Sequence, residues 1–261
     1  MNMEAKVVVV TGGAEGIGAA LGRRAAREGA KVMVADINAP GAQALADEIG
    51  GAACKCDVAR EAEVIRLVQE TEEKLGPIDC FFSNAGIIVM GDLDVTNADW
   101  QRLWEINVMA HVYAARAVVP GMLARGGGWF VCTASAAGLL SQIGSAPYSV
   151  TKHAAVGLAE NLAITYGDRG LQVAVVCPQA VRTRMTAQGG GVAAVDGMMA
   201  AEQVADCVMA ALQEGRFMVL PHPEVKDYMQ RKTSDYDRWI LGMQRLKGRF
   251  QAAAPPAGAE P

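Results

Sequence analysis

The sequence lacks the excess of basic charge that marks nucleic-acid-binding chains. Its 24 Lys and Arg against 28 Asp and Glu give a formal net charge of −4 over 261 residues, and the basic residues are scattered. Binding to nucleic acid depends on clustered Lys and Arg that neutralise phosphates. We therefore expect no nucleic-acid partner.

Cysteine and histidine are too scattered for a metal site. Among six cysteines and three histidines, only Cys54 and Cys56 are close neighbours, and no Cys or His pairs have zinc-ligand spacing. Most cysteines lie in or beside apolar runs, where a thiol behaves as a small hydrophobic group. The sequence predicts a reduced, cytoplasmic protein without a metal ion.

Targeting and membrane segments are missing as well. The N-terminal MNMEAKVVVV carries an acid, Glu4, and its short apolar run leads directly into glycines, unlike a signal peptide. The longest uncharged stretch, residues 126–151, contains many Gly, Ser and Thr residues, so we interpret it as a buried strand and a loop. We predict no membrane association.

Apolar strands alternate with amphipathic helical segments, a pattern typical of a doubly wound parallel sheet in a three-layer α/β/α domain of Rossmann type. The predicted strands are residues 6–10, 31–35, 52–56, 78–82, 129–133, 171–176 and 217–220. The predicted helices are residues 16–28, 42–49, 61–75, 99–123, 148–166 and 202–213. Residues 178–197 are predicted to be irregular because they are rich in Gly, Thr and Met.

This pattern predicts one main domain with a short extension. We place the Rossmann-type domain at residues 1–221. Residues 222–250 carry charged and aromatic residues at helical spacing, which predicts a helical extension packed on the same domain. Residues 251–261 are low in complexity and predict a disordered tail.

A glycine-rich turn follows the first predicted strand. TGGAEGIG places Gly12, Gly16 and Gly18 in the turn and at the start of the next helix. Glycine there lets the backbone approach a pyrophosphate, which the free N–H groups of the helix N-terminus stabilise. The trio departs from the G-x-G-x-x-G form and taken alone equally fits an ordinary tight turn.

Asp36 ends the second predicted strand at the distance expected for a ribose-binding acid. Its carboxylate can accept hydrogen bonds from both adenosine ribose hydroxyls and would repel a 2′-phosphate. Glu15, inside the glycine turn, adds a second negative charge. Without the glycines Asp36 would be interpreted as a helix cap, but the combination predicts NAD as cofactor rather than NADP.

Tyr148 and Lys152 lie four residues apart at the start of a predicted helix and so project from the same face. We expect the ammonium group to lower the pKa of the phenol toward working pH, as a proton-transferring group requires. A Tyr and a Lys at this spacing are also common by chance, and they then form an ordinary pair on the exposed surface of a helix.

Two further polar residues belong to the same hypothesis. Ser135 follows the strand that ends at Thr133, where its hydroxyl could bind a substrate oxygen. Asn107 interrupts the apolar side of a long helix, so it is either a satisfied core amide or part of a proton path with Lys152.

Together these segments resemble the short-chain dehydrogenase/reductase family in its shorter, single-domain branch. The resemblance covers roughly residues 5–220 and rests on TGGAEGIG, Asp57 in CDV, the NAG at Asn84–Gly86, Asn107, Ser135 and YSVTK at 148–152. It implies a secondary alcohol and ketone interconverted by hydride transfer, with dimers or tetramers built on two long helices.

The resemblance also implies roles for individual residues. The catalytic set would be Asn107, Ser135, Tyr148 and Lys152, with Tyr148 as general acid and base. The cofactor-binding set would be Gly12, Gly16, Ile17, Gly18, Asp36, Asp57, Val58, Asn84, Ala85, Gly86, Tyr148, Lys152, Pro178, Val181 and Thr183.

One position departs from the family. Members usually carry Pro-Gly after the sixth strand, whereas Gln179 follows Pro178 here, and we expect its side chain to shape substrate choice. The expected substrate contacts are Ser135, Tyr148, Gln179, Leu139, Gln142 and Met185. Ala136, Leu140 and Met90 are expected beside them. These mainly apolar residues predict an uncharged, medium-sized secondary alcohol or ketone.

Three alternatives remain at this point. An NADPH-dependent carbonyl reductase is disfavoured by Asp36 and Glu15. An extended-branch epimerase or dehydratase acting on nucleotide sugars would need a longer chain for its substrate domain. A non-catalytic NAD-binding regulator or scaffold would not need the Ser, Tyr, Lys and Asn set.

Overall fold

A computed structural model describes residues 2–187 and 189–253 of the chain. The strands are β1 (Val7–Thr11), β2 (Lys31–Asp36), β3 (Ala52–Lys55), β4 (Cys80–Ser83), β5 (Gly128–Thr133), β6 (Leu171–Val176), β7 (Val181–Arg182), β8 (Met199–Ala200) and β9 (Met218–Val219). The helices are α1 (Gly16–Arg27), α2 (Ala39–Ile49), α3 (Glu61–Leu75), α4 (Asn97–Trp104), α5 (Ala110–Ala124), α6 (Ala137–Leu140), α7 (Ala146–Tyr166), α8 (Ala201–Gln213), α9 (Glu224–Ser234) and α10 (Tyr236–Ala253).

The main sheet is parallel and has the order β3-β2-β1-β4-β5-β6-β9. Strand β1 lies between β2 and β4, so the chain winds outward on one side and then crosses to the other. The predicted doubly wound sheet is confirmed. In such sheets the carboxyl ends of the strands open a crevice where the strand order reverses, and ligands bind there.

Helices cover both faces of the sheet. One apolar cluster joins α3, α5 and α7 to one face, and a second joins α1, α2 and α8 to the other. All five residues of β1 are buried, because a central parallel strand is covered from both sides. This burial explains why the strands appear in the sequence as continuous apolar runs.

The long helix predicted over residues 99–123 is interrupted. One π-helical turn, Glu105–Met109, separates α4 from α5, and Asn107 lies within it. Hydrophobic periodicity gives little sign of a single extra residue in a helix, so the sequence did not show this turn. Such turns are frequent at functional sites.

The helical stretch 97–124 also has the length and mean hydropathy, 1.2, of a membrane span. Among the residues that the structure describes, it is the one stretch with this property. Half of its apolar window is buried inside the fold, where α5 packs on the sheet. Core helices share this composition, so the property identifies no membrane segment.

The segment predicted to be irregular, residues 178–197, is partly regular. Strand β7 pairs with β8 in a small parallel sheet, and single 3₁₀ turns form at Arg184–Thr186 and Gly191–Ala194. Gln188 lies outside the described residues. The paired strands hold the start and the end of this loop together.

The helical spacing after Pro221 corresponds to α9 and α10. Val225 and Trp239 pack with Leu140 and Ala136, which anchors both helices on the short helix α6. Helix α10 continues to Ala253, three residues into the tail predicted from residue 251. Alanine is the best helix former, which explains this continuation. Residues 254–261 of that predicted tail lie outside the described part of the chain.

Candidate active site

The glycine turn between β1 and α1 fits only residues without a side chain. Gly12 has a φ of +63°, and a Cβ there would lie 2.9 Å from the Cα of Ala85. A Cβ on Gly18 would lie 2.0 Å from the carbonyl oxygen of Gly12. The start of α1 is therefore pressed against the end of β1, which leaves its first N–H groups facing the crevice.

Asp36 is held at the end of β2 by two backbone donors. Its Oδ2 accepts a hydrogen bond from the Ala14 N–H at 3.0 Å, and its Oδ1 accepts one from the Asn38 N–H at 2.8 Å. Each oxygen keeps a further lone pair, because a carboxylate accepts about four hydrogen bonds. The glycine turn thus fixes the orientation of a carboxylate at the mouth of the crevice.

Thr11 connects the glycine turn to the segment after β4. Its Oγ1 accepts hydrogen bonds from the N–H groups of Asn84 and Ala85, at 3.0 and 3.2 Å. The Nδ2 of Asn84 donates in return to the Thr11 carbonyl at 3.0 Å. Thr11 was not predicted as a site residue, since a threonine at the end of a strand has no distinctive spacing.

These elements enclose a cleft of about 340 Å³ at the carboxyl edge of the sheet, which we call the sheet-edge cleft. Every residue expected to bind cofactor lines it except Gly18, which packs behind Gly12. Ser135 and Gln179 line it as well. Residues from eight separate segments, 57 and 183 among them, therefore meet in one depression.

Tyr148 and Lys152 project into this cleft from the first turns of α7. Pro147 lies near the start of the helix, where its missing N–H costs nothing. Tyr148 is 8% exposed and Lys152 is 3% exposed. The Lys152 Nζ lies 5.6 Å from the centre of the phenol ring and donates a hydrogen bond to the Thr133 carbonyl at 3.0 Å.

The expected electrostatic effect on the phenol differs from the one in the structure. Burial raises the pKa of Tyr148, and the hydrogen bond with Ser135 lowers it by less. Burial also lowers the pKa of Lys152 to about 8. A neighbouring ammonium favours the phenolate, but the loss of water around both groups disfavours their charged forms.

Ser135 lies beside the phenol at the end of β5. Its Oγ accepts a hydrogen bond from the Ala137 N–H at 3.1 Å and lies 3.4 Å from the Pro178 carbonyl, to which it donates. Both partners are backbone groups, so the hydroxyl has a fixed position. Ser135 and Tyr148 thereby place two hydroxyl groups in one part of the cleft.

Asn107 is fully buried in the π-helical turn. Its Oδ1 accepts from the Ile87 N–H, and its Nδ2 donates to the Ile87 carbonyl, both at 2.9 Å. The Nδ2 also lies 3.2 Å from the Oγ1 of Thr151. No hydrogen bond joins it to Lys152 in the described residues, but both side chains lie beside Gly86, within 3.3 Å of a Cβ placed there.

Gln179 is tied to the C-terminal extension. Its N–H donates to the Nδ1 of His222 at 3.1 Å, and its Nε2 donates to the Oδ2 of Asp196 at 3.1 Å. Tyr228 donates to the same carboxylate at 2.9 Å. The Oε1 of Gln179 is buried and has no hydrogen-bond partner in the described structure.

A larger cavity of about 680 Å³, which we call the α10 cavity, adjoins the sheet-edge cleft at Ser135 and Gln179. Its walls come from α6, α9, α10 and the loop around Val192. The expected substrate contact Gln142 lines it, together with the neighbouring Ala136 and Leu140.

Besides Tyr148, three residues expected near the substrate do not line the α10 cavity. Leu139 packs in the apolar cluster under the C-terminal helices, Met185 lies on the sheet-edge cleft, and Met90 is 64% exposed. The α10 wall was not predicted as part of the site. Its signal in the sequence is a helical repeat that alternates Arg with Trp, Met and Leu.

Comparison with known proteins gives concordant matches. The family model described as short chain dehydrogenase matches residues 6–190. Zerumbone synthase of Zingiber zerumbet is 36% identical over 197 residues, 71% of this chain and 72% of that protein. The 1-deoxy-11-beta-hydroxypentalenate dehydrogenase of Streptomyces exfoliatus is 33% identical over 253 residues, 92% of this chain and 91% of that protein.

A solved structure is also similar throughout. A short chain dehydrogenase/reductase from Burkholderia phymatum in complex with NAD superposes with a TM-score of 0.85 and 27% identity. The match covers 91% of this chain and 96% of that one. The superposition covers more of the chain than the family model does, so it includes part of the chain after residue 190.

Proposed function

The chain belongs to the short-chain dehydrogenase family of oxidoreductases, and from its site we propose an NAD(H)-dependent enzyme that interconverts a secondary alcohol and its ketone. The observation that carries this proposal is that Ser135, Tyr148 and Lys152 line the sheet-edge cleft together, and that Ser135 also lines the adjoining α10 cavity. In this proposal the reactive groups would lie between the cofactor in the cleft and the substrate in the cavity.

The residues of the sheet-edge cleft fit a dinucleotide. The glycine turn would hold the pyrophosphate, Asp36 and Asp57 the adenosine end, and Lys152 and Thr183 the nicotinamide end. Gly12 and Gly18 support this fit, because a side chain at either position would close the turn. When bound, the nicotinamide supplies the hydride acceptor or donor.

The side chains of this chain supply the proton transfer. Tyr148 would remove the hydroxyl proton during oxidation and return it during reduction. Ser135, whose Oγ is fixed by backbone groups, would hold the substrate oxygen. Lys152 stays close to the phenol because its Nζ bonds to the Thr133 carbonyl, and a protonated Lys152 would favour the phenolate.

Asn107 would act through its neighbours. Its amide spans Ile87 and Thr151, so it fixes the π-helical turn against the start of α7, which carries Lys152. It lies beside Gly86 near the Lys152 ammonium, where a water molecule could complete the expected proton path.

A panel of secondary alcohols tests the proposal directly. With NAD in excess, we expect at least one class of alcohol to give NADH, followed by its absorbance. Catalysis separates this proposal from a non-catalytic NAD-binding protein, which would bind NADH and turn over no alcohol or ketone in either direction. That negative result across the panel would contradict the proposed activity.

Gln179 is proposed to set substrate choice. Its φ is not positive, so the backbone itself does not demand glycine there. In Gln179→Gly the side chain between cleft and cavity is lost, and we expect the ratio of kcat/KM between bulky and small ketones to rise about tenfold. Steady-state kinetics over a ketone panel measure this ratio.

Asp196→Ala is the matched control for that substitution. It removes the hydrogen bond to the Gln179 Nε2 but leaves the side chain in place. If Asp196→Ala changes the ratio of kcat/KM between bulky and small ketones as much as Gln179→Gly does, the effect comes from the hydrogen bond between Gln179 and Asp196. An unchanged ratio in Gln179→Gly would show that position 179 does not select the substrate.

Quaternary structure and cellular location stay predictions. A homo-oligomer built on the long helices is supported by Val150 and Ile164 of α7, whose side chains are 48% and 83% exposed. A reduced, cytoplasmic setting is supported by the six free thiols, five of them buried.

A further inference from the structure

The α10 cavity has two kinds of wall. Its inner wall is apolar and comes from Ala137 and Leu140 of α6, faced by Trp239 and Met243 of α10. Trp239 also packs in the apolar cluster that anchors the C-terminal helices. Apolar walls of this kind bind hydrocarbon by excluding water from it.

The outer wall is basic. Among the described lining residues, the charged ones are four arginines and a single aspartate, Asp235. The four are Arg231, Arg238, Arg245 and Arg249. Since the whole chain carries a net charge of −4, this local excess of positive charge opposes the overall balance. All four side chains are exposed to solvent along the cavity.

The arginines are not committed to ion pairs within the described structure. The salt bridges found there involve other residues, and Arg231 instead lies over the ring of Tyr228, 5.7 Å from its centre. Asp235 caps α10, since its Oδ1 accepts from the Arg238 N–H at 2.9 Å. The guanidinium groups remain available to a ligand.

Their spacing places them on one side of a helix. Arg238 and Arg245 are two turns apart, and Arg249 follows one turn later, so the three share a face of α10. The planar guanidinium group binds two oxygens of a carboxylate or phosphate at once. A row of such groups beside an apolar wall matches a molecule with one oxyanion at the end of a hydrocarbon body.

We propose that the substrate is such a molecule, an apolar secondary alcohol or ketone with a terminal oxyanion held by Arg238 and Arg245. This inference rests on the proposed function, because it places the reacting carbon near Ser135, where cavity and cleft meet. It replaces the uncharged substrate expected from the sequence. The carboxylate or phosphate increases the affinity and fixes the position of the substrate along the cavity, while the inner wall binds the hydrocarbon.

Calorimetric titration of the full chain with NAD present tests the inference without any turnover. The probes are decanoate, decyl phosphate and 1-decanol, which share a ten-carbon chain. We expect at least one of the two anions to bind about tenfold more tightly than the alcohol. Raised salt should weaken anion binding and leave decanol binding unchanged, because only the anion depends on charge.

Substitution of the arginines identifies the site. We expect Arg238→Gln with Arg245→Gln to weaken anion binding about tenfold. The same positions changed to Lys should restore part of the affinity, since the charge returns without the planar fork. Arg169→Gln, at an exposed arginine outside the cavity, is the control and should change neither affinity.

The three possible outcomes are distinct. Tighter binding of decanoate identifies a carboxylate substrate, and tighter binding of decyl phosphate identifies a phosphate. Equal affinity for all three probes, or anion binding that survives the double Gln variant, would overturn the inference. Calorimetry reports binding alone, so it tests the oxyanion site independently of turnover. If the anions bind but the chain turns over no alcohol, the proposed activity is contradicted and the oxyanion site is not.

Discussion

Tyr148→Phe is expected to lower kcat by about 10²–10⁴-fold while NADH still binds. The ring packs with Leu103 and Ala137, and phenylalanine preserves these contacts. Only the hydroxyl is lost, and with it the group proposed to exchange the substrate proton. Steady-state kinetics measure kcat, and NADH fluorescence measures cofactor affinity in the same samples.

Tyr166→Phe provides the matched control. Tyr166 ends α7, and its ring lies 5.6 Å from the Arg169 guanidinium group, away from the cleft. Removing that hydroxyl should leave kcat unchanged. Turnover by Tyr148→Phe within about twofold of the parent would refute the role of the phenol, whatever the control shows.

Asp36→Asn is expected to reverse part of the cofactor preference. Loss of charge-assisted hydrogen bonds to a ribose weakens binding by about 10- to 100-fold, and we expect the KM for NAD to rise accordingly. The KM for NADP should fall, because the carboxylate no longer repels a 2′-phosphate. Asparagine keeps one acceptor for the Ala14 or Asn38 N–H, so the turn retains part of its support.

Kinetics with both cofactors give the ratio of kcat/KM that decides this prediction. Asp47→Asn, at a carboxylate on α2 that accepts a hydrogen bond from Gln43, tests for a general effect of charge and should leave the ratio unchanged. A parent enzyme that prefers NADP would contradict the assignment of NAD. So would an Asp36→Asn ratio equal to that of the control.

Much of the fold follows from local patterns in the sequence. Helix α3 and strand β6 have the predicted limits, and the other strands of the main sheet differ from prediction by up to two residues at an end. Buried parallel strands and amphipathic helices leave distinct periodicities, which explains this agreement. The π-helical turn around Asn107 was missed because one extra residue in a helix barely changes its hydrophobic periodicity.

The residues of the candidate site also divide into those with a local signal in the sequence and those without one. Residues proposed to bind through motifs, such as Gly12 and Asp36, have a signal in the sequence because turn, strand end and helix start are contiguous in the chain, and both line the sheet-edge cleft. Contacts between distant segments, such as Gln179 with Asp196, had no such signal. The expected pKa of Tyr148 failed for a related reason, since burial depends on everything packed around the phenol.

The sequence by itself determined the alternation of strands and helices, the glycine turn, the acid at 36 and the Tyr148–Lys152 pair, because each depends on neighbours a few residues away. Tertiary structure alone decided that Asn107 bonds Thr151, that burial raises the pKa of the phenol and lowers that of the ammonium, and that arginines of α10 line the same cavity as Ser135. Desolvation and the meeting of distant segments arise only when the chain is packed, and no local spacing encodes them.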